Sequence, residues 1–195
     1  MNAEAKGGGA LDGLRVIEVC QNLAGPYCCT VLADMGAEVI KEEPPGGDHS
    51  RGIGRHFAGD ESYAFMTLNR SKRSVVLDLK KEGAKDVLEE LVREADILVE
   101  NVRPGAMERM GLGYEDLKKV KPEIIYASIS GFGRTGPYAE HGGYDLISQG
   151  FSSLMSFTGE PGRDPVKIPV PLCDLNGGMY TVIAILAALH HRDRT

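Results

Sequence analysis

Five short apolar runs punctuate the chain: residues 14–20 (LRVIEVC), 37–43 (AEVIKEE), 74–79 (SVVLDL), 96–101 (DILVEN) and 123–130 (EIIYASIS). None shows the strict alternation of a half-exposed strand, so each reads as a strand covered on both faces. Helical periodicity fills the gaps. Residues 81–95 are the clearest case, with Ala84, Val87, Leu88, Leu91, Val92 and Ala95 on one face and charges opposite. Another helix starts at Ala24-Gly25-Pro26, carries Tyr27, Val31, Leu32 and Met35 on one face, and ends at Gly36. Short helices are expected at 106–110 and 115–120, and longer ones at 145–157 and from 175 to 191. Strands alternating with helices predict an α/β domain, a Rossmann-like, mostly parallel sheet flanked by helices. Ligands of such sheets bind beyond the carboxyl ends of the strands. That rule selects residues 22–26, 44–55, 101–105 and 131–144. No G-x-G-x-x-G follows the first strand and no Walker loop is present, which argues against a dinucleotide or nucleoside triphosphate site.

A chain of 195 residues suffices for one domain with a real core. Its net charge of −6 argues against nucleic-acid binding. The longest apolar run, residues 179–189, is too short to span a bilayer, so no membrane partner is expected. Residues 1–10 are small, polar and Gly-rich, and read as a disordered leader ahead of a domain over 11–195. Cys20, Cys28, Cys29 and Cys173 lack metal-ligand spacing and lie in apolar surroundings; they read as reduced thiols of a cytoplasmic protein, and no metal is expected.

Cations cluster twice. Asn69-Arg70-Ser71-Lys72-Arg73 precedes a strand, and Asn101-Val102-Arg103-Pro104-Gly105 with Arg109 follows one. Guanidinium and ammonium groups so placed suit a phosphate-rich ligand, or simply form a solvated charged edge. Asp174 follows the apolar stretch 170–173 and precedes the last helix, with Gly177 and Gly178 leaving room for a ligand. An Asp there is either an N-cap, accepting backbone N–H bonds, or a reactive carboxylate. No serine-hydrolase elbow or zinc motif is present.

In series, these residues resemble the class III CoA-transferase family, which also contains the α-methylacyl-CoA racemases. The stretches that carry the resemblance are Leu11-Asp12-Gly13-Leu14-Arg15-Val16, Leu23-Ala24-Gly25-Pro26, Gly36-Ala37-Glu38-Val39-Ile40-Lys41 and Gly46-Gly47-Asp48, followed by Asn69-Arg70-Ser71-Lys72-Arg73-Ser74 and Val99-Glu100-Asn101. Arg103-Pro104-Gly105, Ile129-Ser130-Gly131-Phe132-Gly133, Gly143-Tyr144-Asp145 and Asp174 before Gly177-Gly178 complete them. The resemblance implies that Asp174 is a nucleophile that passes through a mixed anhydride and an aspartyl-CoA thioester. It implies coenzyme A contacts at Leu23, Ala24, Asn69, Lys72, Asn101, Val102, Arg109, Met110, Gly142, Gly143, Tyr144 and Asp145, with Lys72 and Arg109 meeting the phosphates. Coenzyme A, as acyl-CoA, and a small carboxylic acid would be the substrates. The family forms an interlocked homodimer.

Racemases of the family place a His where Tyr144 stands, and a phenol is a poor base at an α-carbon, so the resemblance favours transferase over racemase. Pro44 stands where some relatives carry a CoA-contacting Arg. Family members run to roughly twice this length. The resemblance therefore implies the large CoA-binding domain, with the second domain missing beyond residue 195. A non-catalytic CoA-binding fragment remains an alternative, and an NAD(P) oxidoreductase a more distant one.

Overall fold

The computed structural model describes residues 8–195. Five parallel strands form its sheet: β1 (Arg15–Val19), β2 (Glu38–Glu43), β5 (Lys72–Val76), β6 (Ile97–Glu100) and β7 (Ile125–Ser128). Their order is β5-β2-β1-β6-β7. The chain first steps outward from β1 through β2 to β5, then returns to β6 on the other side. The topological switch point thus lies between β1 and β6, where open α/β sheets bind ligands. A two-residue hairpin, β3 (Phe57–Ala58) with β4 (Glu61–Ser62), sits apart from this sheet.

Both faces are covered, as the unalternating strands predict. Helices α1 (Ala24–Asp34) and α7 (Leu172–Arg192) lie on one face, over Val16, Cys20, Val39, Ile97 and Val99. Helices α3 (Ala84–Arg93), α4 (Ala106–Arg109) and α5 (Tyr114–Val120) pack Leu88, Val92, Met107 and Leu117 on the other, over Ile17, Val19 and Leu98. Helices α2 (Tyr63–Asn69) and α6 (Asp145–Phe151) flank the first face.

Several elements differ from the sequence expectation. The edge strand β5 runs two residues early, because Lys72 faces inward to an ion pair with Glu18. Helix α2 has no counterpart in the sequence expectation; its seven residues are too few to show a periodicity, and Ser62 caps it by accepting from the Ala64 amide at 3.2 Å. The helix expected over 145–157 breaks after Phe151, and Ser153 with φ of 62° separates α6 from a one-turn 3-10 helix at Leu154–Phe157. On α1 the fully buried residues are Gly25, Pro26, Cys28, Cys29, Thr30 and Leu32; of the expected Tyr27-Val31-Leu32-Met35 stripe, Leu32 is buried and Val31 and Met35 are partly buried against the same cluster. On α3, Val87 is exposed. Of the expected leader, residues 1–7 lie outside the described residues, while the Gly9 carbonyl accepts from the Asp12 amide at 3.1 Å.

Helix α7 is also longer than the apolar run suggested. It runs for 21 residues, and an 18-residue stretch of it has a mean hydropathy of 1.6, enough by length and composition alone to cross a membrane. Gly178, Val182, Ile185 and Leu189 nevertheless pack it onto the domain, leaving Met179, Tyr180 and Ile183 exposed.

The α1–α7 crossing depends on one glycine. A Cβ on Gly178 would lie 2.6 Å from the Ala24 carbonyl oxygen and 3.0 Å from the Tyr27 ring. A Cβ on Gly177 would meet nothing within 4 Å. Alanine normally stabilises a helix interior over glycine by about 1 kcal/mol. Gly177→Ala is therefore expected to raise stability by about that much. Gly178→Ala should lower it by about 2 kcal/mol, since the clash with backbone outweighs the propensity gain. Urea denaturation midpoints of the two variants check the opposite signs.

Candidate active site

The floor of the site is set where β1 and β6 end. Asn101 bridges the two strand exits: its Oδ1 accepts from the Gln21 amide at 2.9 Å and its Nδ2 donates to the Gln21 carbonyl at 2.8 Å. The chain then turns through Asn22 at φ of 67°, a left-handed conformation that Asn tolerates better than most residues. Leu23 follows as the N-cap position of α1, with no side-chain cap. Pro26 has no amide hydrogen, so the Ala24 and Gly25 amides are the first free donors of this helix. An uncapped helix start beside the switch point favours negative charge.

Asp174 lies on the helix that packs against this start. It occupies the first turn of α7, and one turn further on Gly178 touches the Ala24 carbonyl. Asp174 is thus about 6 Å along the helix axis from that contact and on the same face. The N-cap expectation needs correction: Asp174 is not the N-cap, because α7 already starts at Leu172 behind Pro171. The capping acceptor comes instead from α6: Asp145 Oδ1 accepts from the amides of Cys173 at 2.8 Å and Asp174 at 3.3 Å. Backbone geometry alone could not have revealed this, since the acceptor lies 28 residues away in sequence.

The Asp174 carboxylate is half-buried, and no described residue donates a hydrogen bond to it. Burial, and then the nearby Asp145 charge, push its pKa up to about 6. Burial, with Asp145 and Asp174, likewise pushes the Cys173 thiol up. The group is therefore ionised at neutral pH yet poorly solvated, which suits a nucleophile.

The other expected site residues divide. Val102, Met110, Arg103 and Arg109 follow β6 at its carboxyl edge; both arginines are exposed and pair with no described carboxylate. The Asn101 side chain is occupied in bracing Gln21, leaving only its backbone for a ligand. Gly142, Gly143 and exposed Tyr144 lead into α6. Gly131 and Gly143 cross closely: a Cβ on Gly143 would come within 2.4 Å of the Gly131 Cα.

The cluster at 69–73 behaves differently. Arg70 pairs with Asp34, and Arg73 with Glu38 at 2.8 Å, at the amino edge of the sheet. Lys72 is buried, with its ammonium held by Glu18 at 2.8 Å, the Pro26 carbonyl at 2.8 Å and Asn69 Oδ1 at 3.1 Å. The two basic clusters therefore do not converge on one phosphate group, and as folded here Lys72 serves as an internal counter-ion.

The sequence reading missed a buried ionic network beneath α1. Lys41 contacts Glu18 at 2.8 Å, Asp48 at 2.7 Å and the Cys20 carbonyl at 2.7 Å. Asp48 in turn accepts from the Ser50 amide at 2.8 Å and the Asn22 amide at 3.3 Å, tying the loop after β2 to the loop after β1. The signal was present: two opposite charges inside apolar runs, which the β1–β2 register brings side by side. Among the described residues, Cys20, Cys28 and Cys29 are buried free thiols, and no group of three His, Cys, Asp or Glu is placed to hold a metal.

The chain is 48% identical over 193 residues to the acetyl-CoA:oxalate CoA-transferase of Acetobacter aceti, covering 98% of this chain and 49% of that protein. It is 47% identical over 192 residues to the succinate–glutarate CoA-transferase of Agrobacterium fabrum, covering 95% of this chain and 48% of that protein. The crystal structure of a CAIB/BAIF family protein from Brucella suis superposes with a TM-score of 0.91 at 45% identity, over 96% of this chain and 50% of that one. The chain thus spans about half the length of these relatives. The sequence profile of CoA-transferase family III matches residues 11–195, and the chain belongs to that family.

Proposed function

We propose that this chain carries the coenzyme A-binding, nucleophile-bearing part of a CoA-transferase that moves CoA from an acyl-CoA donor to a small carboxylic acid. The observation that carries the reading is the Asp174 carboxylate: half-buried, with no described residue donating a hydrogen bond to it, on the first turn of the helix that packs against the uncapped start of α1.

In this reading an Asp174 oxygen attacks the thioester carbonyl carbon, the C–S bond breaks, and CoA leaves as the thiolate. The product on the protein is a mixed anhydride. The thiolate then attacks the aspartyl carbonyl carbon, the C–O bond breaks, and the donor acid leaves as its carboxylate. An aspartyl-CoA thioester remains. The acceptor carboxylate reverses the two steps and departs as the new acyl-CoA. The α1 amides of Ala24 and Gly25 offer donors for the negative oxygen that develops at each addition. Arg103 and Arg109 supply unpaired cations for the CoA phosphates. The named relatives take oxalate, succinate or glutarate as their acids, and small dicarboxylates are accordingly the acids to try first.

Incubation with succinyl-CoA or acetyl-CoA, followed by intact-protein mass spectrometry, tests the reading. The expected result is a CoA-sized adduct, released by hydroxylamine and mapped to the peptide containing Asp174. Its rate of formation should rise with pH through about 6 and level off above, because only the carboxylate form attacks. Coenzyme A binding without any adduct would sink the catalytic reading for this chain and favour a binding domain.

A further inference from the structure

Helix α7 starts without a side-chain cap of its own, because its N-cap residue is Pro171. Two of its orphan amides, Cys173 and Asp174, are instead satisfied by Asp145 Oδ1 at 2.8 Å and 3.3 Å. The other oxygen of Asp145 accepts from Gln149 Nε2 at 2.6 Å, one turn further along α6. Gln149 is fully buried. Its Oε1 accepts from the Ile168 amide at 2.8 Å, and its Nε2 lies 3.5 Å and 3.4 Å from the Ile168 and Val170 carbonyl oxygens. Every polar atom of this side chain therefore has a partner on Asp145 or on the segment leading into α7. Buried amides so satisfied hold one orientation, since any rotation would strand a donor or an acceptor.

We propose that Asp145 and Gln149 form a positioning pair for Asp174: Gln149 fixes the Asp145 carboxylate and the 168–170 segment, and Asp145 fixes the first turn of α7 that carries the nucleophile. This deepens, and rests on, the reading of Asp174 as the nucleophile. It moves Asp145 from the expected role of coenzyme A contact to one that acts through another residue. The arrangement has an electrostatic consequence besides the steric one. Asp145 on α6 and Cys173 on α7 itself are the titratable neighbours that face Asp174, while residues 24–26 of α1 bring none. Among the described residues Asp145 supplies the charge that acts on Asp174, and it disfavours ionisation of Asp174.

The test uses the whole chain with aspartate side-chain carboxyls labelled with carbon-13, titrated by NMR, in parallel with adduct formation from succinyl-CoA. Asp145→Asn keeps a carbonyl oxygen for both amides but removes the charge. The Asp174 midpoint is expected to fall by about one pH unit in that variant. The pH profile of adduct formation should move down with it. Asp145→Ala and Gln149→Leu lose the clamp, and their adduct rates are expected to fall about 10- to 100-fold, with Asp145→Asn recovering part of that loss, since it keeps the acceptor for both amides but turns an NH2 toward Gln149 Nε2. An unchanged midpoint in Asp145→Asn, or wild-type rates in both clamp-breaking variants, would overturn the proposal. If wild type forms no adduct, the nucleophile reading has failed on its own. The titration then still decides whether Asp145 acts on Asp174, and Asp145→Asn decides it even if the other two variants do not fold.

Discussion

Replacing Asp174 by Asn is expected to abolish the CoA adduct and, at the same time, to make the protein more stable. The kinetic effect is the larger: a nucleophile that forms a covalent bond has no substitute, and losses of about 10³-fold or more accompany removal of such a group. The stability effect follows from the site's own electrostatics. Folding raises the Asp174 pKa from an ordinary 3.8 to about 6, so the folded state disfavours the charged form. Below pH ~4 the group is protonated in both states and contributes no penalty. Between pH ~4 and about 6 the unfolded chain ionises this carboxyl while the folded protein holds it protonated, so that much stability is lost across the interval and none further above it. A shift of about two pH units corresponds to about 3 kcal/mol, which solvent screening of this half-exposed group reduces to about 1 kcal/mol. Asn keeps the size and loses the charge. Thermal denaturation at pH 7.5 should therefore show a higher Tm for Asp174→Asn than for wild type, and the difference should vanish near pH 4. A residue retained only for the fold would give the opposite sign. A lower Tm together with undiminished adduct formation would remove Asp174 from the chemistry altogether. The pairing of lost activity with gained stability is what an active-site strain predicts.

The sequence made the sheet legible because its strands are buried on both faces and so announce themselves as apolar runs between polar turns. The choice of strand-exit loops followed from that alternation alone, whereas the switch point between β1 and β6 needed the strand order. Contacts that cross the fold were not legible. The Asp145 cap on α7 joins residues 28 and 29 positions apart, with the rest of α6 and the Pro-rich segment 158–171 between them, and no local pattern marks it. Asp174 therefore looked like its own helix cap, a reading that sequence favours for any Asp before an apolar helix. The cations at 69–73 misled for a related reason. Charge counts show where ammonium and guanidinium groups are, but not which carboxylates already hold them, and Lys72 is neutralised by Glu18 two strands away. Here the lost signal lay in the strands themselves: Glu18 in LRVIEVC and Lys41 in AEVIKEE interrupt otherwise apolar runs, and such charges persist inside a core only when paired.

That network carries the last and largest stability prediction. Lys41 is 1% exposed at its side chain, and both its carboxylate partners are fully covered. Burial opposes its charge, but Glu18 and Asp48 outweigh burial and hold the ammonium above its usual range. The four buried groups balance, Lys41 and Lys72 against Glu18 and Asp48. Lys41→Met breaks that balance by leaving Asp48 without a cation, while Glu18 still has Lys72. An uncompensated buried charge costs about 3–5 kcal/mol, comparable with the whole stability of many domains. Lys41→Met is accordingly expected to unfold most of the protein at 25 °C, seen as loss of the cooperative urea transition. The charge account and a simple packing account diverge in the double variant. Lys41→Met with Asp48→Asn removes one charge of each sign and retains an acceptor for the Ser50 and Asn22 amides. It should therefore recover most of the lost stability, with strong non-additivity between the two sites. If the double variant is no more stable than Lys41→Met alone, the lysine matters for its shape and not for its charge. Because Asp48 also holds the Asn22 amide, recovery should extend to the loop that leads into α1, and with it to the adduct-forming capacity of Asp174.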